Sequence, residues 1–223
     1  MPRSAYMAQR GGCIVSREAL LFNTDDIPEI ETDPANEWYT PALLIEAARL
    51  VMDSIELDPA STARANLVVR AERYFTQKEN GLAQDWTCRS LFINPPYGST
   101  GHLFKKAAWQ GQSIARMFLD KLKAEYDAGR VGQAIALVKA DPKSSTFQPL
   151  WSWGPICFCR DRIYFDRPHK RPEKIQFGTS LVYLGDPEGE SRFIDVFRAF
   201  GRVARAVDTP PPILATNDRL WHE

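Results

Sequence analysis

"LFINPPYGS", residues 91–99, is the stretch on which the fold and the chemistry of this chain turn. Leu91, Phe92 and Ile93 read as the end of a strand, and two prolines then follow Asn94. Proline has no N–H to give to a sheet ladder, so the strand stops abruptly there. The two proline rings fix the backbone, and the Asn94 amide and the Pro95 carbonyl project as acceptors in a set geometry. Tyr97 follows at once and offers a flat face on which a ring can stack.

Toward the N-terminus, order begins at "NEWYTPALLIEAARLVMDS" (36–54). Thr40 and Pro41 suit an N-cap and first helical turn, and Leu44, Ala47, Ala48, Val51 and Met52 fall at helical spacing. "IELDPAS" (55–61) is a short strand ending in an acid and a proline. "TARANLVV" (62–69) forms a short helix, "RYFT" (73–76) is strand-like, and "NGLAQDW" (80–86) is a loop. Toward the C-terminus, "SIARMFLDKLKAEYDAG" (113–129) is helical, with Ile114, Phe118, Leu122 and Tyr126 every four residues and Gly129 as its stop. "AIALV" (134–138) is a continuous apolar run, the mark of a strand buried on both faces. "ICFC" (156–159), "RIYF" (162–165) and "TSLVYLG" (179–185) follow, and a last amphipathic helix covers about 191–204. Strands alternating with helices predict a single α/β domain over 36–207, with a mostly parallel central sheet and antiparallel strands near the end. Residues 1–35 read as an N-terminal extension, and 208–223, with Pro210 to Pro212, as an extended tail.

The 223 residues carry 28 basic and 28 acidic side chains. Zero net charge gives no general argument for a nucleic-acid partner, so such an argument must rest on local patches. The four cysteines (Cys13, Cys88, Cys157, Cys159) lack zinc-site spacing, and Cys157 and Cys159 are neighbours on one strand face. They read as reduced, buried thiols, which fits a cytoplasmic protein. No stretch approaches the roughly 18 apolar residues of a membrane span, and no secretory signal is expected. Oligomeric state is not readable.

Chemically, two fixed acceptors beside an aromatic face suit an amino group conjugated to a ring. The lone pair of such a group is delocalised and a poor nucleophile. Gripping its two hydrogens favours a pyramidal nitrogen and frees the lone pair for in-line attack. Neither a covalent nucleophile nor a metal is needed, and no metal site is expected.

Asn94-Pro95-Pro96-Tyr97 resembles the catalytic motif of amino-group methyltransferases that use S-adenosylmethionine. With "EWYTP" (37–41), "LDPAS", "RYFT", "NGL" with Trp86, and "RDRIYF" (160–165) in this order, the chain resembles the phage-type DNA N6-adenine methyltransferases over roughly residues 36–185. The resemblance implies a Rossmann-like methyltransferase fold with helices on both faces of the sheet. It also implies transfer of a methyl group to N6 of an adenine flipped out of DNA. Asn94, Pro95, Pro96 and Tyr97 would be catalytic. Trp38, Tyr39, Thr40 and Pro41, with Asp58, Pro59 and Ala60, would hold the cofactor's methionine part. Asn80, with Asp85 as a rival, would accept from its adenine amino group.

Two departures stand out. Ser61, Thr62 and Ala63 replace the usual glycines after the acid, and Asn80 stands where the family favours aspartate. For DNA, "RDRIYFDRPHKRPEK" (160–174) offers a basic loop in which Arg162, Arg167, Lys170 and Arg171 would meet the nucleic acid. Loops 98–112 and 139–174 would supply sequence readout. The competing classes are an enzyme of the same fold acting on RNA or protein glutamine, and a non-catalytic nucleic-acid-binding relic. The intact motif speaks against the relic. The missing glycine-rich loop speaks against the protein-directed enzyme.

Overall fold

The computed structural model describes residues 38–98, 113–166, 173–174 and 177–207. The expected extension (1–35) and tail (208–223) therefore lie outside the described residues. The chain enters helix α1 (Ala42–Met52), whose buried stripe comprises Leu44, Ile45, Ala47, Ala48, Val51 and Met52. Pro41 occupies the N-cap position and no side chain caps the helix. The expectation that Thr40 caps α1 is corrected: its hydroxyl is turned to Asn94 instead. Strand β1 (Leu57–Asp58) leads to helix α2 (Ala63–Val69), which Thr62 does cap, its hydroxyl accepting from the Ala65 amide at 3.0 Å. Strand β2 (Arg73–Tyr74) is followed by two short 3-10 turns, Gln77–Glu79 and Gly81–Ala83.

The opening motif becomes strand β3 (Cys88–Ile93). Helix α3 (Ile114–Asp127) ends at Gly129, whose φ of 70° is the left-handed stop expected of it. Then come β4 (Val131–Lys139), β5 (Ile156–Cys159), β6 (Tyr164–Phe165), β7 (Glu173–Lys174) and β8 (Thr179–Leu184). Helix α4 (Pro187–Phe197) and β9 (Gly201–Ala204) complete the described chain. The last helix thus starts and stops earlier than its periodicity suggested. Asp186 caps it, accepting from the Gly189 amide at 2.7 Å, with Pro187 in the first turn. The residues expected to continue it form β9.

Seven strands make one sheet in the order β2-β1-β3-β4-β8-β5-β9, while β6 and β7 pair separately. Pairings among β2, β1, β3 and β4 are parallel; those of β4 with β8, β8 with β5, and β5 with β9 are antiparallel. The expectation of a mostly parallel sheet is therefore corrected. Strands β8 and β9, joined by α4, run together as a crossover unit would, but reversed, and β5 slots between them. Every residue of β8 is buried, so an apolar run reports burial on both faces and not strand direction.

Alternation in β3 builds both layers of the core. Leu91 and Ile93 face a cluster with Trp86, Met117, Phe118 and Leu122, the side covered by α3. Phe92 faces the other cluster with Ile45, Ala48, Val51, Phe193 and Phe197, the side covered by α1 and α4. Helices on both faces are thus observed. Among the described residues, no helix is long and apolar enough to cross a membrane.

Candidate active site

A cleft opens where β1 and β3 end and the segment before α1 crosses them. Its empty volume, open mouth included, is ≈ 980 Å³. Position follows from topology: loops at the carboxyl ends of strands collect there.

Asn94 is the hub. Its Nδ2 donates to the Trp38 carbonyl oxygen at 2.9 Å and to the Thr40 hydroxyl at 3.3 Å. A carbonyl only accepts, so the nitrogen must be the atom facing Trp38, and Oδ1 is the amide's remaining acceptor. The crossing segment is itself held in place. The Tyr39 amide donates to the Asp166 carbonyl at 2.9 Å, and the Asp166 amide donates back at 3.1 Å. The Thr62 hydroxyl donates to the Tyr39 phenol oxygen at 3.2 Å. Trp38 packs edge-on against Phe165 at 6.1 Å.

Asp58 lies in the cleft wall, 3% exposed, and accepts from the Ala60 amide at 3.2 Å. Burial pushes its carboxyl up to about 6, and the Ala60 hydrogen bond only partly offsets this. Among the described residues no basic side chain forms an ion pair with it. The glycine-poor loop that follows is pinned: the Ser61 amide donates to the Phe75 carbonyl at 2.9 Å and Thr62 caps α2. Close backbone approach comes from elsewhere. A Cβ on Gly81 would lie 1.9 Å from the Pro59 carbonyl oxygen, so only glycine fits there. The Trp86 indole N–H fixes that turn by donating to the Gly81 carbonyl at 2.7 Å, and Lys121 Nζ donates to the Leu82 and Gln84 carbonyls at 2.9 and 2.8 Å.

The structure brings Trp38, Tyr39, Thr40, Asp58, Pro59, Ala60, Asn80, Asn94, Pro95, Pro96 and Tyr97 to this one cleft. Pro41, at the N-cap position of α1, and Asp85 do not line the cleft; the Asp85 carboxylate accepts from the Thr87 amide (3.1 Å) and hydroxyl (2.8 Å). Asn80, at φ 52°, is the one of the two rivals that reaches the cleft. Arg162 is exposed between β5 and β6, away from the cleft lining, and Arg167, Lys170 and Arg171 lie outside the described residues. Sequence reasoning missed Phe75, Gln77 and Phe118 as cleft residues. Phe75 stands just past β2, where a strand-end rule would have pointed to it. Phe118 was legible only as core.

Burial raises the Tyr97 phenol above its ordinary value and keeps it protonated. Lys139, the last residue of β4, places Nζ 4.4 Å from the Tyr97 ring centre. The chain leaves the described region at Gly98 and returns beside it, the Ile114 amide donating to the Gly98 carbonyl at 3.1 Å. Among the described residues no group of three His, Cys, Asp or Glu is placed to hold a metal ion.

The family model described as DNA N-6-adenine-methyltransferase (Dam) matches residues 29–171. No curated protein and no solved structure matches the chain.

Proposed function

The chain belongs to the DNA N-6-adenine-methyltransferase (Dam) family, and from that premise we propose that it methylates N6 of an adenine flipped out of DNA, with S-adenosylmethionine as donor. Residues 36–207 form the catalytic unit in this reading, on a methyltransferase fold. The observation that carries it is the Asn94 amide, whose nitrogen is committed to Trp38 and Thr40 and whose Oδ1 is thereby the end that can accept from a substrate.

The cleft suits the cofactor. Asp58 is a buried carboxylate with no basic partner among the described residues, which matches the cationic amino group of a methionine moiety. Trp38, Tyr39 and Thr40 with Asp58, Pro59 and Ala60 would hold that part. Asn80 would accept from the adenine amino group. S-adenosylmethionine, when bound, supplies an electrophilic methyl group on a sulfonium.

The chain's own residues act on the acceptor nitrogen. In this mechanism Asn94 Oδ1 and the Pro95 carbonyl each accept a hydrogen bond from one N–H of the exocyclic amine, which favours the tetrahedral nitrogen of the transition state, and the methylated nitrogen then releases one proton to solvent. Because this grip strengthens as the nitrogen changes shape, it acts on turnover more than on binding. The Tyr97 ring supports the base by stacking, for which its hydroxyl is not required. A duplex base cannot reach this cleft while stacked, so it must leave the helix.

Single-turnover methylation of adenine-containing DNA tests this. Asn94→Ala should lose on the order of 100- to 1000-fold in rate with cofactor affinity nearly intact. Asn94→Asp, which keeps an acceptor, should be milder. Tyr97→Phe should retain much activity and Tyr97→Ala should lose it. Full activity in Asn94→Ala would overturn the mechanism.

A further inference from the structure

A second cavity lies on the β4 side of Tyr97, lined by Lys139, Asp141, Ser144 and Thr146. Tyr97 is a wall of both cavities. Lys139 Nζ stands 4.4 Å from the Tyr97 ring centre and 4.5 Å from that of Phe177. The two rings are tilted by 55° with centres 6.2 Å apart, so the ammonium sits in the notch between them. A base stacked on Tyr97 needs its atoms about 3.5–4.0 Å from that ring. On the Phe177 side of Tyr97 the ammonium, 4.4 Å from the ring centre, stands in the space that a base stacked on that face would take. Among the described residues no carboxylate forms an ion pair with Lys139, although Asp141 shares the cavity wall. Two π faces hold the charge, and that interaction is weak enough to be exchanged.

We infer that Lys139 is a placeholder for the target base: its ammonium fills the Tyr97–Phe177 notch in the free protein and swings out to a DNA phosphate when the adenine enters. This rests on the base-stacking reading of Tyr97 given above. The long unbranched side chain at the end of β4 suits the exchange, because its stem stays anchored while the head group moves. In the free protein the lysine keeps the two rings from closing on each other. In the complex its charge is used a second time, on the nucleotide's backbone.

The test compares wild type with Lys139→Met, which keeps the stem and removes the charge, and Lys139→Arg, which keeps the charge. Two quantities are read in the presence of saturating demethylated cofactor: the salt dependence of DNA affinity, and the affinity for adenosine, which carries no phosphate. Lys139→Met should lower the slope of log affinity against log salt by about 0.9, the value of one neutralised phosphate on duplex DNA. It should also bind adenosine tighter, by about 3- to 10-fold, because the competing cation–π attraction is gone. Lys139→Arg should keep the wild-type slope. A lysine that only packs would leave the slope unchanged and would not tighten adenosine, and either result overturns the proposal. A wild-type protein that neither methylates DNA nor binds adenosine overturns both this proposal and the reading it rests on. Wild-type activity with an unaltered Lys139→Met overturns the placeholder alone.

Discussion

The two ends of the Asn94 amide are treated differently. The nitrogen donates to the Trp38 carbonyl and the Thr40 hydroxyl, which in the proposed mechanism leaves the oxygen for the substrate. The acceptor role proposed for Asn94 was legible in the sequence, since two prolines after an amide leave few other uses. What turns the amide was not, because Trp38 and Thr40 lie more than fifty positions away and Thr40 imitates a helix cap. Asp58 gives the prediction at this scale. Its folded-state value, about 6 against an ordinary 3.8, is raised, so the protonated form is favoured. The stability it contributes to the ligand-free protein is full below about pH 4 and is lost as pH rises through about 6. Affinity for a cationic amino group runs the other way, rising by up to about tenfold per pH unit through that window and levelling above it. Calorimetry with S-adenosylmethionine at several pH values should show this rise, and Asp58→Asn should flatten it. A rise that persists unchanged in Asp58→Asn would assign it to another group.

At the scale of elements, the site depends on two turns that meet. The loop after β1 lacks the glycines that let a backbone come close, and Gly81 provides the close approach from the neighbouring turn. Gly81→Ala should therefore force the two turns apart, destabilising by about 1–3 kcal/mol as overpacked sites do, and should weaken cofactor binding more than Ala83→Gly in the same turn. Thermal melts with and without cofactor measure both effects. A Gly81→Ala protein with unaltered melting and affinity would show that the two turns give way freely. Helix α3 was readable from its four-residue repeat and its glycine stop. Helix α4 was misread because residues past Phe197 continue the amphipathic pattern, while the Asp186-Pro187 start carries the sharper signal. Strand β9 is only four residues long and has no periodicity to announce it.

At the scale of the whole molecule, five strands of the sheet run one way and β8 and β9 run the other. Antiparallel strands near the end were expected, but which strands reverse was not readable, because two-sided burial makes β4 and β8 equally apolar whichever way they point. Balanced charge means that DNA affinity must come from local groups, and the stretch around Lys170 and Arg171 is the proposed source. Replacing both with alanine should weaken binding and reduce its salt slope by about 0.9 for each phosphate that is no longer neutralised on duplex DNA; an unchanged slope would assign that stretch to solvated surface. The most direct measurement is transfer of a labelled methyl group from S-adenosylmethionine by the full chain, offered DNA, RNA and protein together. The nucleic acids are then digested to nucleosides. The account predicts label in DNA, recovered as N6-methyladenine, with Asn94→Ala as the dead control. Label recovered on cytosine, in RNA or in protein, or no transfer at all by the folded protein, would contradict it.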